Sequence, residues 1–177
     1  GAAPAITTGP ATVSITVNAV NDTPVFDANA SATTDEDQPA EIDLRTFIQD
    51  TETAPEDFLF AIDSADNGQA ELLPDGYTLR YTPAANYNGP ASVTVSATDT
   101  GSGGDAPITV SGTISIDVAS VNDAPVVVNP VAPQTLTEGE PVSIDLSGVF
   151  DDVDGDELAL TVKLENGDPL PDWLDRK

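Results

Sequence analysis

Two short stretches carry the residues best suited to chemistry. Asn21-Asp22-Thr23-Pro24 and Asn122-Asp123-Ala124-Pro125 each follow an alternating run of β-branched residues. Acidic clusters stand downstream of both: Asp50 and Glu52 in "QDTETAPED", and Asp152, Asp154 and Asp156 in "FDDVDGDEL". Asp99 closes a further run, "ASVTVSATD". Loop carboxylates and amide oxygens are hard ligands, and Ca²⁺ takes roughly six to eight of them at about 2.3–2.6 Å in irregular geometry. Asp-x-Glu spacing turns two alternate side chains of an extended loop toward one ion. Proline two residues after the Asn fixes φ and keeps the chain extended. The Asp-x-Asp-Gly-Asp run, with Gly155 at its bend, resembles a calcium loop in miniature. An EF-hand is excluded, because no helices flank the loop and Lys163 stands where the closing bidentate Glu belongs.

Composition points the same way. The chain of 177 residues carries 31 acidic and 5 basic residues, a formal net charge of −26, with no His and no Cys. Nothing is available to neutralise phosphates, which argues against nucleic acid, and an anionic membrane surface is disfavoured for the same reason. Without Cys or His a zinc site is not expected. Self-repulsion on this scale destabilises a compact state, and oxygen-seeking divalent cations are the natural counter-charge. No apolar run approaches the ~18 residues of a membrane span, so no membrane insertion is expected. No signal peptide is seen, and Gly1 reads as a position inside a longer chain. Disorder is the alternative for so charged a chain, but 39% hydrophobic residues and clean alternation oppose it.

Catalysis is not expected. Paired carboxylates can hydrolyse glycosides, yet these acids fall at loop ends rather than along an aromatic groove. There is no Gly-x-Ser-x-Gly elbow. "GSGGD" (101–105) follows a strand with no helix after it, unlike a phosphate loop.

The elements that must position these acids read as strands. Val13, Ile15 and Val17 alternate with polar residues in 12–20, as do the residues of 91–99 and 113–121. "EIDLRTFI" (41–48) and "VSIDLSGVF" (142–150) continue the pattern, and "DGYTLRYTP" (75–83) reads as a turn and a strand with Tyr77, Leu79 and Tyr81 on one side. No segment shows a helical period, so the chain is expected to be all-β. It also repeats. "TVSITVNAVNDTPV" (12–25) matches "TISIDVASVNDAPV" (113–126), and 33–52 matches 135–154 without a gap. Glu36 then meets Glu138, Asp50 meets Asp152, and Glu52 meets Asp154. The expected organisation is 1–21 as the last strand of a preceding copy, 22–122 as one complete copy, and 123–177 as the opening half of another. Six or seven short strands in a copy fit an immunoglobulin-type sandwich. Leu158, Leu160, Val162, Leu164 and Trp173 lack a second sheet in the partial copy. That copy is expected to pack poorly or to borrow a strand from residues 1–20, in the same molecule or in another copy.

The sequence resembles the cadherin-like tandem repeats of large bacterial surface and secreted proteins, including repeats-in-toxin adhesins. The residues that carry the resemblance are "VNDTP", "VNDAP", "EDQP" and "YTPAANYNGPASVTVSATDTGSGG" (81–104). From 123 onward, "FDDVDGDEL" and "LPDWL" are similar to the dystroglycan-type cadherin-like, or immunoglobulin-like, variant. The resemblance implies Greek-key β-sandwich repeats whose acids meet at the two poles. One shell is then Asn21, Asp22, Asp50, Glu52 and Asp99. A second is Glu36, Asn122, Asp123, Asp152, Asp154 and Asp156. Neutral Asn86 and Asn88 stand where cadherins usually supply a further acidic pair. The implied function is a Ca²⁺-rigidified spacer or adhesion module at the bacterial surface or outside the cell. Its partners would be neighbouring repeats of the same chain and a cell-surface protein or glycan. The alternative is a carbohydrate-binding accessory module of a secreted polysaccharide-acting protein, for which Tyr77, Tyr81, Tyr87 and Trp173 are the aromatic candidates. For Asp43, Asp63, Asp66, Asp75 and Asp145 a solvated turn carboxylate is the expectation.

Overall fold

The computed structural model describes residues 1–4, 9–10, 12–135, 137, 140 and 142–171; Glu138 and Trp173 lie outside them. The chain divides into two units, Gly1–Ser120 and Val121–Lys177.

The first unit is a β-sandwich. Its strands are β1 (Val25–Phe26), β2 (Ser31–Asp35), β3 (Ala40–Asp43), β4 (Ile48–Gln49), β5 (Leu59–Asp66), β6 (Gly68–Leu72), β7 (Thr78–Pro83), β8 (Gly89–Thr98) and β9 (Thr109–Ala119). One sheet has the order β2-β9-β8-β5 and faces a second of order β3-β7-β6, while β1 and β4 form a short ladder of their own. β2 runs parallel to β9, and the remaining neighbours are antiparallel. The core follows from the alternation. Ala91, Val93, Val95 and Ala97 of β8 and Ile114, Ile116 and Val118 of β9 are buried on one face, with Ser and Thr between them outward. Leu79 and Tyr81 of β7 close the core from the other sheet at 0% exposure. The Tyr81 hydroxyl donates to the Asp66 carbonyl at 2.9 Å, which satisfies the ring's polar end inside. Gly112 of β9 lies flush under Phe26 of β1; a Cβ there would run into the ring.

Segment 41–48 departs from the expected continuous strand. Asp43 ends β3 by accepting the Arg45 backbone N–H at 3.1 Å, and Leu44–Phe47 forms a 3₁₀ turn before β4. Arg45 also donates Nη2 to Asp43 at 2.7 Å and lies over the Tyr77 ring, 3.6 Å from its centroid. Asp43 is therefore a cap and an ion-pair partner rather than a solvated turn acid, and its carboxyl is held below the ordinary range first by the Arg45 side chain. Residues 12–20 also differ from expectation. They form no strand, and Val13, Ile15 and Val17 are 79%, 80% and 87% exposed.

In the second unit the described residues hold one short ladder, β10 (Val126–Val127) with β11 (Phe150–Asp151). Its register, Val126 opposite Asp151 and Val127 opposite Phe150, repeats that of β1 and β4, where Val25 faces Gln49 and Phe26 faces Ile48. The alternation of 142–149 and of 158–164 forms no strand, and Val142, Ile144, Val162 and Leu164 are exposed. A period-two pattern makes a segment competent for a sheet, but a strand needs a hydrogen-bonding neighbour.

Candidate functional site

Three loops converge at one pole of the sandwich. The first follows β4. There Asp50 turns its Oδ2 back to accept the N–H groups of Glu52 at 3.3 Å and Thr53 at 2.8 Å, an Asx turn that sets the two acids one residue apart. The second follows β8. Asp99 Oδ1 accepts N–H from Gly101 and from Ile108, each at 2.9 Å, and so closes the loop between β8 and β9. Asp99 is only 4% exposed. Desolvation pushes its carboxyl up, but the Ile108 and Gly101 amides and the Asn21 side chain together hold it below the ordinary carboxylate range.

The third element is the Asn21-Asp22 linker. Asn21 Nδ2 donates to Asp99 Oδ2 at 3.1 Å and to the Ala106 carbonyl at 3.3 Å. Its backbone N–H reaches Asp105 Oδ2 at 3.3 Å. The Asp22 N–H donates to Glu52 Oε2 at 3.3 Å. Thr53 and Thr100 join the two loops through their hydroxyls at 3.2 Å. Gly103, at φ 60°, brings its backbone against the Ala19 carbonyl, where a Cβ would collide. Asn21, Asp22, Asp50, Glu52 and Asp99 thus belong to one connected network. Pro24, two residues on, is buried and leads into β1.

This network leaves two oxygens unanswered. Asn21 Oδ1 and Asp50 Oδ1 are buried with no hydrogen-bond partner. A buried acceptor without a donor costs about 1–3 kcal/mol, which a hydrogen-bond donor or a cation at the pole would offset. The donors are all hard oxygens, which fits Ca²⁺. Among the described residues no three acidic side chains are gathered into a closed metal shell. The ligand types are present at the pole, spread over the three loops.

At the opposite pole Glu36 is 4% exposed, and its N–H donates to the Ala119 carbonyl at 2.8 Å, at the end of β9. The Asn86 N–H donates to Asp37 Oδ1 at 3.1 Å, so the "NYNG" loop also lies there; Asn86 and Asn88 are exposed. The other residues of the second expected shell, Asn122, Asp123, Asp152, Asp154 and Asp156, belong to the second unit. There the Asp123 N–H donates to Asp154 Oδ2 at 2.7 Å, and the Asp154 N–H to Asp152 Oδ1 at 3.1 Å. The Asp156 N–H lies 3.5 Å from the same Asp152 oxygen. Gly155, at φ 76°, makes the bend and donates to the Asp152 carbonyl. Asn122 folds its amide onto the Asp123 carbonyl at 2.8 Å. Asp123 to Asp154 to Asp152 repeats Asp22 to Glu52 to Asp50, bond for bond.

Sequence reasoning missed Asp105, Thr53 and Thr100. The available signal was the glycine-rich loop after Asp99, whose small residues permit close backbone approach. The tyrosines weighed for carbohydrate binding are engaged elsewhere. Tyr81 is buried, Tyr77 lies under Arg45, and the half-buried Tyr87 accepts from Asn67 at 2.9 Å and donates to Pro90 O at 2.6 Å. Among the described aromatic side chains Phe150 is exposed, at 40%.

No curated protein matches the chain. Among solved structures, the endo-fucoidan hydrolase MfFcnA4 from glycoside hydrolase family 107 is similar at 19% identity and a TM-score of 0.43, over 59% of this chain. MfFcnA9, from the same family, is similar at 20% identity and a TM-score of 0.39, over 54%. The chain spans 15% and 16% of the lengths of those two hydrolases. Residues 21–116, more than half of the chain, match the bacterial Ig domain, and the chain belongs to that family.

Proposed function

We propose that this chain is a calcium-binding, cadherin-like repeat of a bacterial extracellular protein, a spacer or adhesion segment that Ca²⁺ stiffens at each Asn-Asp-x-Pro joint. The bacterial Ig domain is a non-catalytic module type, and no described helix is long and apolar enough to cross a membrane. The observation that carries the reading is the pair of buried, partnerless oxygens, Asn21 Oδ1 and Asp50 Oδ1, within the Asp22, Glu52 and Asp99 network. These five residues would hold the ion. Bound there, it supplies positive charge that offsets repulsion among carboxylates in a chain of net charge −26. Without it the linker is tied to the loops by hydrogen bonds alone, from Asn21 to Asp99, Asp105 and Ala106 and from Asp22 to Glu52.

In the second unit Asp123, Asp152, Asp154 and Asp156 would form the corresponding ligand set, with Asn122 as a further expected member. Calorimetric titration with CaCl₂ tests the reading. Calcium should bind, raise the melting temperature and extend the molecule in solution scattering, and Asp152→Ala with Asp154→Ala should lower the stoichiometry. No heat, with identical melting and dimensions in EDTA and in millimolar calcium, would overturn it.

A further inference from the structure

Asparagine followed by glycine occurs at Asn67-Gly68, Asn88-Gly89 and Asn166-Gly167. The pair is labile for a reason that lies in its backbone. The side-chain amide carbon can close a five-membered ring with the nitrogen of the next residue, and glycine there has no side chain to hinder the approach or restrict φ. Asparagine counts among the thermolabile residues. A given pair reacts only where the fold leaves the amide and that nitrogen free to meet.

Two of the three are held. Asn67 donates Nδ2 to the Tyr87 hydroxyl at 2.9 Å and to the Pro90 carbonyl at 3.1 Å. Its own carbonyl accepts the Ala84 N–H at 2.9 Å, and Gly68 opens β6 where a Cβ would run into the Thr82 carbonyl and the Tyr81 ring. Asn166 donates to Asp168 Oδ2 at 2.7 Å and accepts the Asp168 N–H at 3.0 Å, while the Gly167 N–H is given to the Leu164 carbonyl at 2.8 Å. Asn88 differs. It is exposed in the loop between β7 and β8, and its side chain makes no hydrogen bond among the described residues. The loop is braced around it instead. The Tyr87 N–H donates to the Ala84 carbonyl at 3.1 Å, the Tyr87 hydroxyl to the Pro90 carbonyl at 2.6 Å, and the Asn86 N–H to Asp37 Oδ1 at 3.1 Å. Gly89 begins β8 at φ 118°, where a side chain would be strained. The fold thus requires the glycine that makes this pair reactive.

We infer that Asn88 is a site of spontaneous deamidation, at which the folded protein gains a carboxylate on the loop that Asp37 holds. The Gly89 nitrogen forms a bond to Asn88 Cγ, the Cγ–Nδ2 bond breaks, and ammonia leaves with the former amide hydrogen of Gly89. Water then opens the cyclic imide at either of its carbonyl carbons. Opening at Cγ gives aspartate on an unchanged backbone. Opening at the main-chain carbonyl gives isoaspartate, with the backbone rerouted through the side chain just before β8. In both cases a water is consumed and an ammonia released, and the pole that carries Glu36 and Asp37 becomes more negative by one charge.

The test is incubation of the full chain in EDTA and heavy-oxygen water at mildly alkaline pH, followed by peptide mapping with mass detection. Asn88 should convert at least about tenfold faster than Asn67, a barrier difference of about 1.4 kcal/mol. The product should carry an oxygen taken from water and should be a mixture of aspartate and isoaspartate. Its rate should rise with pH, since the attacking nitrogen must lose its proton. Asn88→Gln breaks no contact, so it should keep the melting temperature while abolishing the first acidic variant on ion exchange. In urea the Asn67 and Asn88 rates should fall within about threefold of each other, less than 1 kcal/mol of barrier, because the bonds that hold Asn67 are gone. An intact Asn88, or an Asn67 that converts as fast in the folded protein, overturns the proposal. So does a preference for Asn88 that urea leaves unchanged. The EDTA buffer keeps every outcome independent of calcium binding.

Discussion

Replacing Asp50 by Asn separates the electrostatic work of the pole from its local folding. Asn keeps an oxygen that accepts from Thr53 N–H, so the Asx turn after β4 survives. In EDTA the change removes one negative charge beside Glu52 and opposite Asp22 and puts an amide donor in place of Asp50 Oδ1, one of the two unanswered oxygens. Stability there should hold or rise, within about 0.5 kcal/mol as for substitutions that break no buried contact. If calcium binds as proposed, the sign reverses in its presence. Wild-type protein at a hundredfold excess over its dissociation constant gains about 2.7 kcal/mol by mass action. A ligand loss that weakens binding a hundredfold leaves about 0.4 kcal/mol of that gain by the same relation. The difference of about 2.3 kcal/mol is a shift of roughly 10 °C for a unit of this size, at about 4 °C per kcal/mol. Differential scanning calorimetry of both proteins, in EDTA and in calcium, reads the four values. Equal calcium-induced shifts in the two proteins would refute the assignment of Asp50 as a ligand, and a large loss in EDTA would show that the side chain serves the turn alone.

Two further outcomes follow from the same contacts. Because the Asp99 carboxyl is held below its ordinary range, its contribution is full at neutral pH, declines as pH falls past about 4, and is gone below its lowered folded value. Asp99→Asn should therefore flatten the acid limb of a melting-temperature profile between pH 7 and 2.5, and a parallel limb in the variant would refute this. Tyr81→Phe removes the buried ring's donor to the Asp66 carbonyl and should cost about 1 kcal/mol, a drop of roughly 4 °C in a thermal melt; no change would mean that solvent satisfies that carbonyl.

The sandwich was legible wherever a segment's alternation had a neighbour to meet. Ala91, Val93, Val95 and Ala97 face the core as their spacing requires, and so do Ile114, Ile116 and Val118. The same signal in 12–20 and 142–149 formed no strand, because sheet hydrogen bonds are pairwise and the pattern names only one partner. The break after Asp43 was hidden for another reason. A side chain capturing the backbone two residues on competes with the strand, and period-two hydrophobicity does not register that competition. At the site, the linker Asn-Asp and the ends of β4 and β8 were readable from the repeat and the family resemblance. Asp105 was not, since its contact with Asn21 depends on how a glycine-rich loop folds back at Gly101 and Gly103.

The joint's shape is written locally. Both units build Asp N–H to acid, then acid N–H to Asp, the first bond spanning 30 residues in one unit and 31 in the other and the second spanning two in both. They do so although one unit is a packed sandwich and the other holds a single short ladder among its described residues. An arrangement that survives so large a difference in packing cannot be imposed by the core; it must come from the Asx turns at Asp50 and Asp152 and from the short ladder that precedes each. The core's contribution in the first unit is Asp99, placed at the same pole just after β8 and fixed by two amides. Local turns thus place four of the residues, and the sandwich adds the fifth at the Asn21 amide. Loss of Asp99 should weaken a preformed joint, whereas loss of Asp50 should unmake the turn or the ligand set that defines it.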